Sequence, residues 1–308
     1  MIMFLKKNNT LIVRFLILVS LVVVAFSIYL YKRNNKIIKN LLSSQELMKK
    51  EIKLYEDISL ETVTSLLVVH EVFDSKGPIK LIRHGKENDG GYVVPELALV
   101  KADALLGYGV ADDISFEESF SEIYKKPSYG FDCGVDSIDI KNKLCTFIRQ
   151  CITSDSFLYN NQKSSGSITS YSEQINKLGL EGKKVFVKMD IEGAEYEAFD
   201  DIFKHSRNIT GIVLELHFLN AEQSLKAAKL LARLKNDFLL VHIHSNNCCA
   251  ASFSNDKIKG SIARVIELSF INKSLIARSS ISERQSFPLP IDMPNCIGKP
   301  QVEFEILR

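Results

Sequence analysis

The chain has 308 residues, 46% of them hydrophobic, and a formal net charge of +2. This length allows one large domain or two small ones, and the apolar fraction is ample for a core. Because the charge is nearly balanced, we do not expect nucleic acid to be a partner. The six cysteines include no C-x-x-C pair, which argues against a zinc knuckle, while a few disulfide bonds remain open to the chain.

An apolar stretch near the N-terminus predicts a membrane anchor. Phe15–Tyr31 carries no charge. Together with Leu11–Val13 and the intervening Arg14, the span reaches about 20 residues, enough to cross a bilayer. A cleavable signal peptide is the alternative, but no small-residue cleavage site follows the run. We therefore predict an N-terminal tail and single-pass anchor over 1–31. Basic residues flank the span on both sides and favour a cytoplasmic C-terminal domain only slightly.

A Lys/Glu-rich segment, 32–76, follows the predicted anchor. Apolar residues such as Leu60, Val63 and Leu67 are interspersed among its charges, so we predict a helical stalk that leads into a domain over 77–308. The alternative is a helix that belongs to the outer layer of the domain itself.

The first turn signal of the predicted domain lies between Ile82 and the strand-like run Tyr92–Val94, which predicts a β-hairpin. The four residues of this turn are Asn88, Asp89, Gly90 and Gly91.

A strand, a glycine turn and a helix come next. The run Ala102–Gly109 predicts a strand that ends in Gly107 and Gly109, and Ser115–Ile123 predicts a helix. A second predicted strand ends at Asp132. An acid at that place, about 20 residues beyond the glycines, binds ribose hydroxyls in dinucleotide and adenosine sites. The pattern therefore indicates a nucleotide-type α/β unit.

Two acids after the glycine turn restrict the ligand class. Asp112 and Asp113 stand near the helix N-terminus, where a pyrophosphate would need the backbone N–H groups. The third glycine of the dinucleotide motif is also missing. Both features disfavour an NAD-type oxidoreductase and suit a ligand that carries an ammonium or sulfonium charge.

The segment Lys183–Phe199 is the most informative part of the chain. It opens with a buried strand, ends that strand at Asp190, turns at Gly193 and continues as a helix. Asp190 and Glu192 therefore lie at the carboxyl edge of a predicted parallel sheet, where α/β proteins bind ligands. The alternative is that Glu192 and Glu195 only favour a helix N-terminus.

Three further strands are predicted after this segment. Ile209–His217 places Glu215 and His217 on one face, and Phe238–His244 places His242 and His244 on one face. A seventh strand is predicted over Ile262–Phe270. A candidate third strand lies within Cys145–Leu158. Seven strands that alternate with helices imply an α/β fold with a mostly parallel sheet.

These segments together resemble the FkbM-type methyltransferases. The resemblance lies in Gly107–Gly109, Asp132 and the run Lys188–Glu195. It extends to an N-D-G-G-Y-V segment at Asn88–Val93, an H-x-H-x-N-N segment at His242–Asn247 and a D-x-P-N segment at Asp292–Asn295. The resemblance implies a Rossmann-like class I methyltransferase fold. It also implies S-adenosylmethionine as the cofactor and a glycan or glycolipid sugar hydroxyl as the methyl acceptor.

The resemblance also implies roles for individual residues. The backbone at Gly107 and Gly109 would pass close to the cofactor, Asp132 would bind its ribose, and the Asn88–Gly91 turn would lie near its amino-acid end. Asp190 would stand at the edge that faces the sulfonium.

Methyl transfer to oxygen requires a hydroxyl that loses its proton, either to a histidine or through a divalent metal such as Mg²⁺. The metal requirement stays open. The catalytic candidates are Asp190, Glu192, His217 and His244. In the usual class I strand order the seventh strand lies between the fifth and sixth, so Asp190 and His217 are the expected pair. A scaffold protein without catalysis remains the alternative function.

Overall fold

The computed structural model describes residues 45–50, 53–153, 168–281 and 283–307. The chain divides into two units, Met1–Tyr55 and Glu56–Arg308. In the first unit, residues 45–50 and 53–55 are helical. The anchor predicted within 1–31 lies outside the described residues, and none of the helices that are described has the length and apolar character to cross a bilayer.

A seven-stranded sheet forms the centre of the second unit. Its strands, numbered in chain order, are β1 (Ala104–Tyr108), β2 (Ser128–Phe131), β3 (Cys145–Ile148), β4 (Val185–Met189), β5 (Ile209–His217), β6 (Phe238–Ser245) and β7 (Val265–Asn272). Their order across the sheet is β3-β2-β1-β4-β5-β7-β6. The pairs from β3 to β5 are parallel, and β7 is antiparallel to both β5 and β6. The predicted mostly parallel sheet is confirmed, and β7 lies where the class I order puts it.

Helices cover both faces of the sheet because alternate strand residues point to opposite sides. In β4, Val185 and Val187 pack into one apolar cluster, whereas Phe186 packs into another. The helices are α1 (Glu96–Lys101), α2 (Ser115–Tyr124), α3 (Tyr171–Lys177), α4 (Glu195–Ile202) and α5 (Ala221–Asp237). Residues of α3, α4 and α5 pack in the first cluster, and residues of α1 and α2 pack in the second. Two 3-10 helices, Phe203–Asn208 and Lys273–Leu275, follow α4 and β7 respectively.

Short strands pair around the central sheet. The predicted hairpin is present as Leu81–His84 paired with Tyr92–Pro95. The remaining pairs are Glu71–Phe73 with Arg278–Ser280, Cys151–Thr153 with Ile168–Ser170, and Ser252–Phe253 with Ile262–Ala263; Phe304–Leu307 pairs with both Ile258–Gly260 and Arg284–Phe287.

The compact unit begins before the predicted boundary at residue 77. Residues 56–66 are helical, and Leu60, Val63 and Leu67 are buried in the larger apolar cluster. Glu71–Phe73 forms a strand within the same unit. The apolar side chains between the charges thus cover the sheet, so 56–76 forms an outer layer of the domain rather than the predicted stalk.

Two disulfide bonds close loops at the edge of the sheet. Cys133 is bonded to Cys151, and Cys248 is bonded to Cys296. Cys145 and Cys249 are free. The second bond fastens the segment after β6 to the Asp292–Asn295 region.

Candidate active site

The turn between β4 and α4 holds the first group of acids. The backbone N–H of Asp190 donates to the carbonyl of Tyr108 at 3.0 Å, which joins the ends of β4 and β1. The chain then passes through Glu192 and Gly193, with φ of +56° and +99°. A positive φ at a glutamate is unfavourable, and such residues concentrate at functional sites. The turn leaves the Glu192 side chain 86% exposed, directly beside the buried Asp190–His217 region.

His217, at the end of β5, is oriented by a buried carboxylate. Its Nδ1 lies 2.9 Å from Oε1 of Glu195, whose side chain is fully buried. Its Nε2 lies 3.4 Å from Glu192 Oε2 and 3.6 Å from Glu215 Oε1. Burial opposes protonation, but the hydrogen bond to Glu195 and the surrounding carboxylates raise the pKa of His217 above 6.5. With Nδ1 engaged by Glu195, Nε2 is the nitrogen that faces the acids.

Asp190 and His217 come together as the strand order predicts. Ligand atoms of Asp190, Glu192 and His217 all lie within 4.8 Å of one another. Asp190 Oδ2 accepts a hydrogen bond from the Tyr92 hydroxyl at 3.3 Å, whereas Oδ1 is buried without a hydrogen-bond partner. Burial raises the pKa of Asp190, with partial opposition from the charge of Lys188. This carboxylate therefore faces the site with one oxygen free.

A row of polar residues extends from this group across β5, β7 and β6. Glu215 pairs with Glu267, and Glu267 pairs with His244, so the three lie side by side. Glu215 Oε1 accepts a hydrogen bond from Asn246 at 3.2 Å, and its Oε2 is buried without a partner. Burial, reinforced by the neighbouring acids, raises the pKa of Glu215 well above 4.5. The row is a second buried concentration of carboxylates.

His244 belongs to this row and not to the Asp190 group. Its Nδ1 lies 3.2 Å from Glu267 Oε2, and its Nε2 lies 3.3 Å from Gln301 Oε1. Strands β5 and β7 separate β6 from β4, which at about 4.8 Å a strand puts roughly 14 Å between their ends. His244, a catalytic candidate from the sequence, thus lies apart from Asp190 and beside the loop that contains Gln301. His242 is similarly engaged, with its Nε2 3.1 Å from Asp292 Oδ2.

Three of the cofactor candidates, Gly109, Asp132 and Asp190, line a groove of about 270 Å³ above β1, β2 and β4. The lining residues are Tyr108, Gly109, Ala111, Phe131, Asp132, Gln150, Cys151, Ile152, Asp190, Ile191 and Glu192. Asp132 accepts backbone hydrogen bonds from Ala111 at 3.0 Å and Gly134 at 2.7 Å, which fix its carboxylate at the end of β2. A ligand in this groove contacts both Asp132 and the Asp190–Glu192 turn.

Gly107 within β1 and Gly109 directly after it are both required by the packing of the protein on itself. A Cβ at Gly109, where φ is +74°, would lie 1.5 Å from the Asp190 carbonyl oxygen. A Cβ at Gly107 would lie 1.6 Å from Glu117 Oε1. Gly109 also lines the groove, in agreement with its predicted position, whereas Glu117 covers Gly107. The approach of the Gly107 backbone to the cofactor stays a prediction.

The Asn88–Gly91 turn lies beside the polar row. Asp89 Oδ1 is 3.2 Å from Asn295 Nδ2, and the same nitrogen lies 2.6 Å from Glu267 Oε1. Asn88 and Gly90 have φ of +59° and +86°, and a Cβ at Gly91 would meet the Lys86 carbonyl oxygen at 1.9 Å. The turn is thus built into the site region, next to the D-x-P-N segment, although its residues do not line the groove.

The sequence interpretation missed several residues of the site. Glu195 was recognised only as an acid that favours a helix N-terminus, yet it is the partner of His217. Lys188 is buried and donates to the Gly109 carbonyl at 2.8 Å. Its position in an apolar strand was the available signal, because a buried lysine needs partners. Asp113, interpreted from the sequence as an acid that suits a cationic ligand, pairs with Lys86 at 2.9 Å.

Solved structures similar to this chain include a putative ribosomal RNA methyltransferase from Plasmodium falciparum, at 15% identity and a TM-score of 0.35, covering 59% of this chain and 91% of that one. Fibrillarin in its complex with Nop5p matches at 9% identity and a TM-score of 0.28, covering 66% and 98%. The plantazolicin methyltransferase BpumL in complex with SAH matches at 8% identity and a TM-score of 0.22, covering 56% and 76%. No protein-family model matches the sequence, and no curated protein matches it.

Two of these similar structures are named as methyltransferases, whereas membership of the FkbM family is not confirmed. Their low identities and TM-scores assign no role to any residue of this chain.

The matches correct one prediction. We expected a sugar-bearing acceptor and no nucleic-acid partner, but one similar structure is a ribosomal RNA methyltransferase. The exclusion of nucleic acid was wrong, because the net charge of a whole chain does not describe a local contact surface. We withdraw the exclusion, and the glycan acceptor with it.

Proposed function

We propose that this chain is an S-adenosylmethionine-dependent O-methyltransferase. The observation that carries the proposal is the groove lined by both Asp132 and the Asp190–Glu192 turn, beside the Glu195–His217 pair. One ligand there can place a ribose diol at the end of β2 and a cationic centre at the acids of β4. S-adenosylmethionine has this arrangement, and when bound it supplies an electrophilic methyl group while the electron pair of the broken C–S bond stays on sulfur.

The residues fit this cofactor in chemical terms. Asp132 is held by two backbone N–H groups, and a carboxylate oxygen that accepts one hydrogen bond keeps capacity for a ribose hydroxyl. Asp190 Oδ1 is buried without a hydrogen-bond partner. A free carboxylate oxygen at this edge favours a positively charged group nearby. The aromatic ring of Phe131 and the side chain of Ile152 give the groove apolar walls.

The residues beside the groove favour oxygen as the methylated atom because they can help a hydroxyl to lose its proton. A neutral amine can attack without first losing a proton, whereas an alcohol needs help to lose one. His217 Nε2, oriented through Nδ1 by Glu195, faces Asp190 and Glu192. Two routes follow from this geometry. Nε2 takes the hydroxyl proton directly, or the three side chains hold a cation that lowers the pKa of the hydroxyl.

Calorimetric titration of the purified full chain tests the proposal. We expect micromolar binding of S-adenosylmethionine and none of NADH. Asp132→Ala should weaken the binding at least tenfold, because it removes the acceptor for the ribose hydroxyls. Asp136→Ala is the matched control, since Asp136 is a nearby acid with an 85% exposed side chain. A chain that binds no S-adenosylmethionine, or binds it equally well in both variants, would overturn the proposal.

A further inference from the structure

We infer that Asp190, Glu192 and His217 bind one divalent transition-metal ion, and that this site binds Mn²⁺ in preference to Mg²⁺. The inference rests on the proposed function for its chemical role, since the ion would decide between the two proton routes given above. The geometry of the three side chains, and of the buried carboxylates of Glu195 and Glu215 around them, supports the site.

The distances suit a single ion. Two ligands at about 2.1 Å from a cation lie about 3 Å apart when adjacent and about 4.2 Å apart when opposite. His217 Nε2 and Glu192 Oε2 are 3.4 Å apart, and the whole set lies within 4.8 Å. The Glu192 side chain is 86% exposed, so a rotamer change is open to it when an ion binds.

The surroundings of His217 set this group apart from an ordinary acidic cluster. Histidines that bind metals usually donate their other N–H to a carboxylate or carbonyl, which fixes the ring and its tautomer. Glu195 fills this place, with Oε1 2.9 Å from Nδ1 and a fully buried side chain. Gly193 N–H donates to the same oxygen at 3.0 Å and fixes the carboxylate in turn. Nε2 is therefore directed at the other two acids.

A second observation favours a cation at this place. Glu215 is 6% exposed, its Oε1 lies 3.6 Å from His217 Nε2, and its Oε2 is buried without a hydrogen-bond partner. Buried charges are costly unless they are paired or coordinate a metal. The nearby ammonium of Lys188 is directed at the Gly109 carbonyl, 2.8 Å away. A cation at Nε2 would compensate Asp190, Glu192 and Glu215 together.

The donor set selects the class of metal. Mg²⁺ and Ca²⁺ prefer oxygen ligands throughout, whereas one imidazole with carboxylates suits first-row transition ions. Three protein ligands leave coordination positions free for the acceptor oxygen and for water. In that arrangement His217 would be a ligand, and the ion would lower the pKa of the acceptor hydroxyl so that its proton passes to water.

The test measures metal binding without turnover. The full chain is treated with EDTA, dialysed and titrated with Mn²⁺, with the signal of free Mn²⁺ followed by electron paramagnetic resonance. We expect one site per chain, with Mg²⁺ competing at least tenfold more weakly. Asp190→Asn and His217→Gln should each weaken Mn²⁺ binding more than tenfold, and Glu195→Gln by about 10- to 100-fold through loss of the ring orientation.

Glu197→Gln is the matched control, because Glu197 lies on the same helix and pairs with Lys226 instead. Circular dichroism confirms that each variant is folded. The titration of the wild-type chain tests the site even if a variant does not fold. Absence of a Mn²⁺ site in the wild-type chain, or unchanged affinity in all three site variants, would overturn the inference. S-adenosylmethionine binding without a Mn²⁺ site would leave the proposed function intact; a Mn²⁺ site without cofactor binding would refute that function alone.

Discussion

Glu117 should titrate near neutral pH and make the stability of the fold depend on pH. It lies in the first turn of α2 and is 1% exposed, with Oε1 pressed against Gly107 and without a hydrogen-bond partner. Burial raises the pKa of Glu117 to about 7, and the charge of Lys188 only partly offsets this. The folded chain therefore keeps a proton at a pH where the unfolded chain, with a carboxyl pKa of 4.5, has released it.

The direction in which pH changes the free energy of unfolding follows from proton linkage. Between pH 4.5 and about 7 the folded state binds more protons than the unfolded state, so the free energy of unfolding falls as the pH rises. The stabilisation is fully present below pH 4.5 and is lost through pH 7. At about 1.4 kcal/mol for each pKa unit, the loss approaches about 3 kcal/mol. Glu117→Gln keeps the shape of the side chain and removes the titration.

Urea unfolding followed by circular dichroism between pH 4.5 and 8 measures this difference. The wild-type chain should lose about 3 kcal/mol relative to Glu117→Gln across the range, by the same linkage. Glu122→Gln, an exposed position on the same helix, should follow the wild type. If the profiles of wild type and Glu117→Gln run parallel, Glu117 does not titrate as its burial requires.

Three further predictions concern the fold. Burial lowers the pKa of His84 to about 4, so the unfolded chain takes up a proton at a higher pH than the folded chain. The free energy of unfolding should therefore fall by up to about 3 kcal/mol as the pH drops from 6.5 through 4. Urea titrations of His84→Gln should lack this loss. Gly109→Ala should lower the melting temperature far more than Gly179→Ala. Both positions have positive φ, but only at Gly109 would the Cβ meet backbone atoms. Equal shifts in melting temperature would refute the clash. Thiol labelling of the denatured, unreduced chain should find two free cysteines, and six after reduction; six without reduction would contradict both disulfides.

The sequence predicts the sheet well because local patterns determine it. Apolar runs that end in acids or glycines mark β1, β2 and β4, and the alternation with helices implies parallel pairing. The meeting of Asp190 with His217 also follows, since it needs only the order of the strands. The first helix of the domain was assigned to a stalk because charges between its apolar residues hide its buried face.

The rest of the site depends on register, which a single sequence does not reveal. Glu215, Glu267 and His244 form a row only because antiparallel β7 pairs with β5 and β6 at those positions. A shift of one residue would point each side chain to the other face. Glu195 becomes the partner of His217 through the path of the turn before α4. Disulfide pairing likewise reflects distances between remote loops, such as Cys248 with Cys296.

A crystal structure of the chain with S-adenosylhomocysteine tests the central claim most directly. We predict the ribose hydroxyls within hydrogen-bond distance of Asp132 and the sulfur above the Asp190–Glu192 turn. A ligand bound elsewhere, or a ribose that contacts neither oxygen of Asp132, would contradict the proposed function.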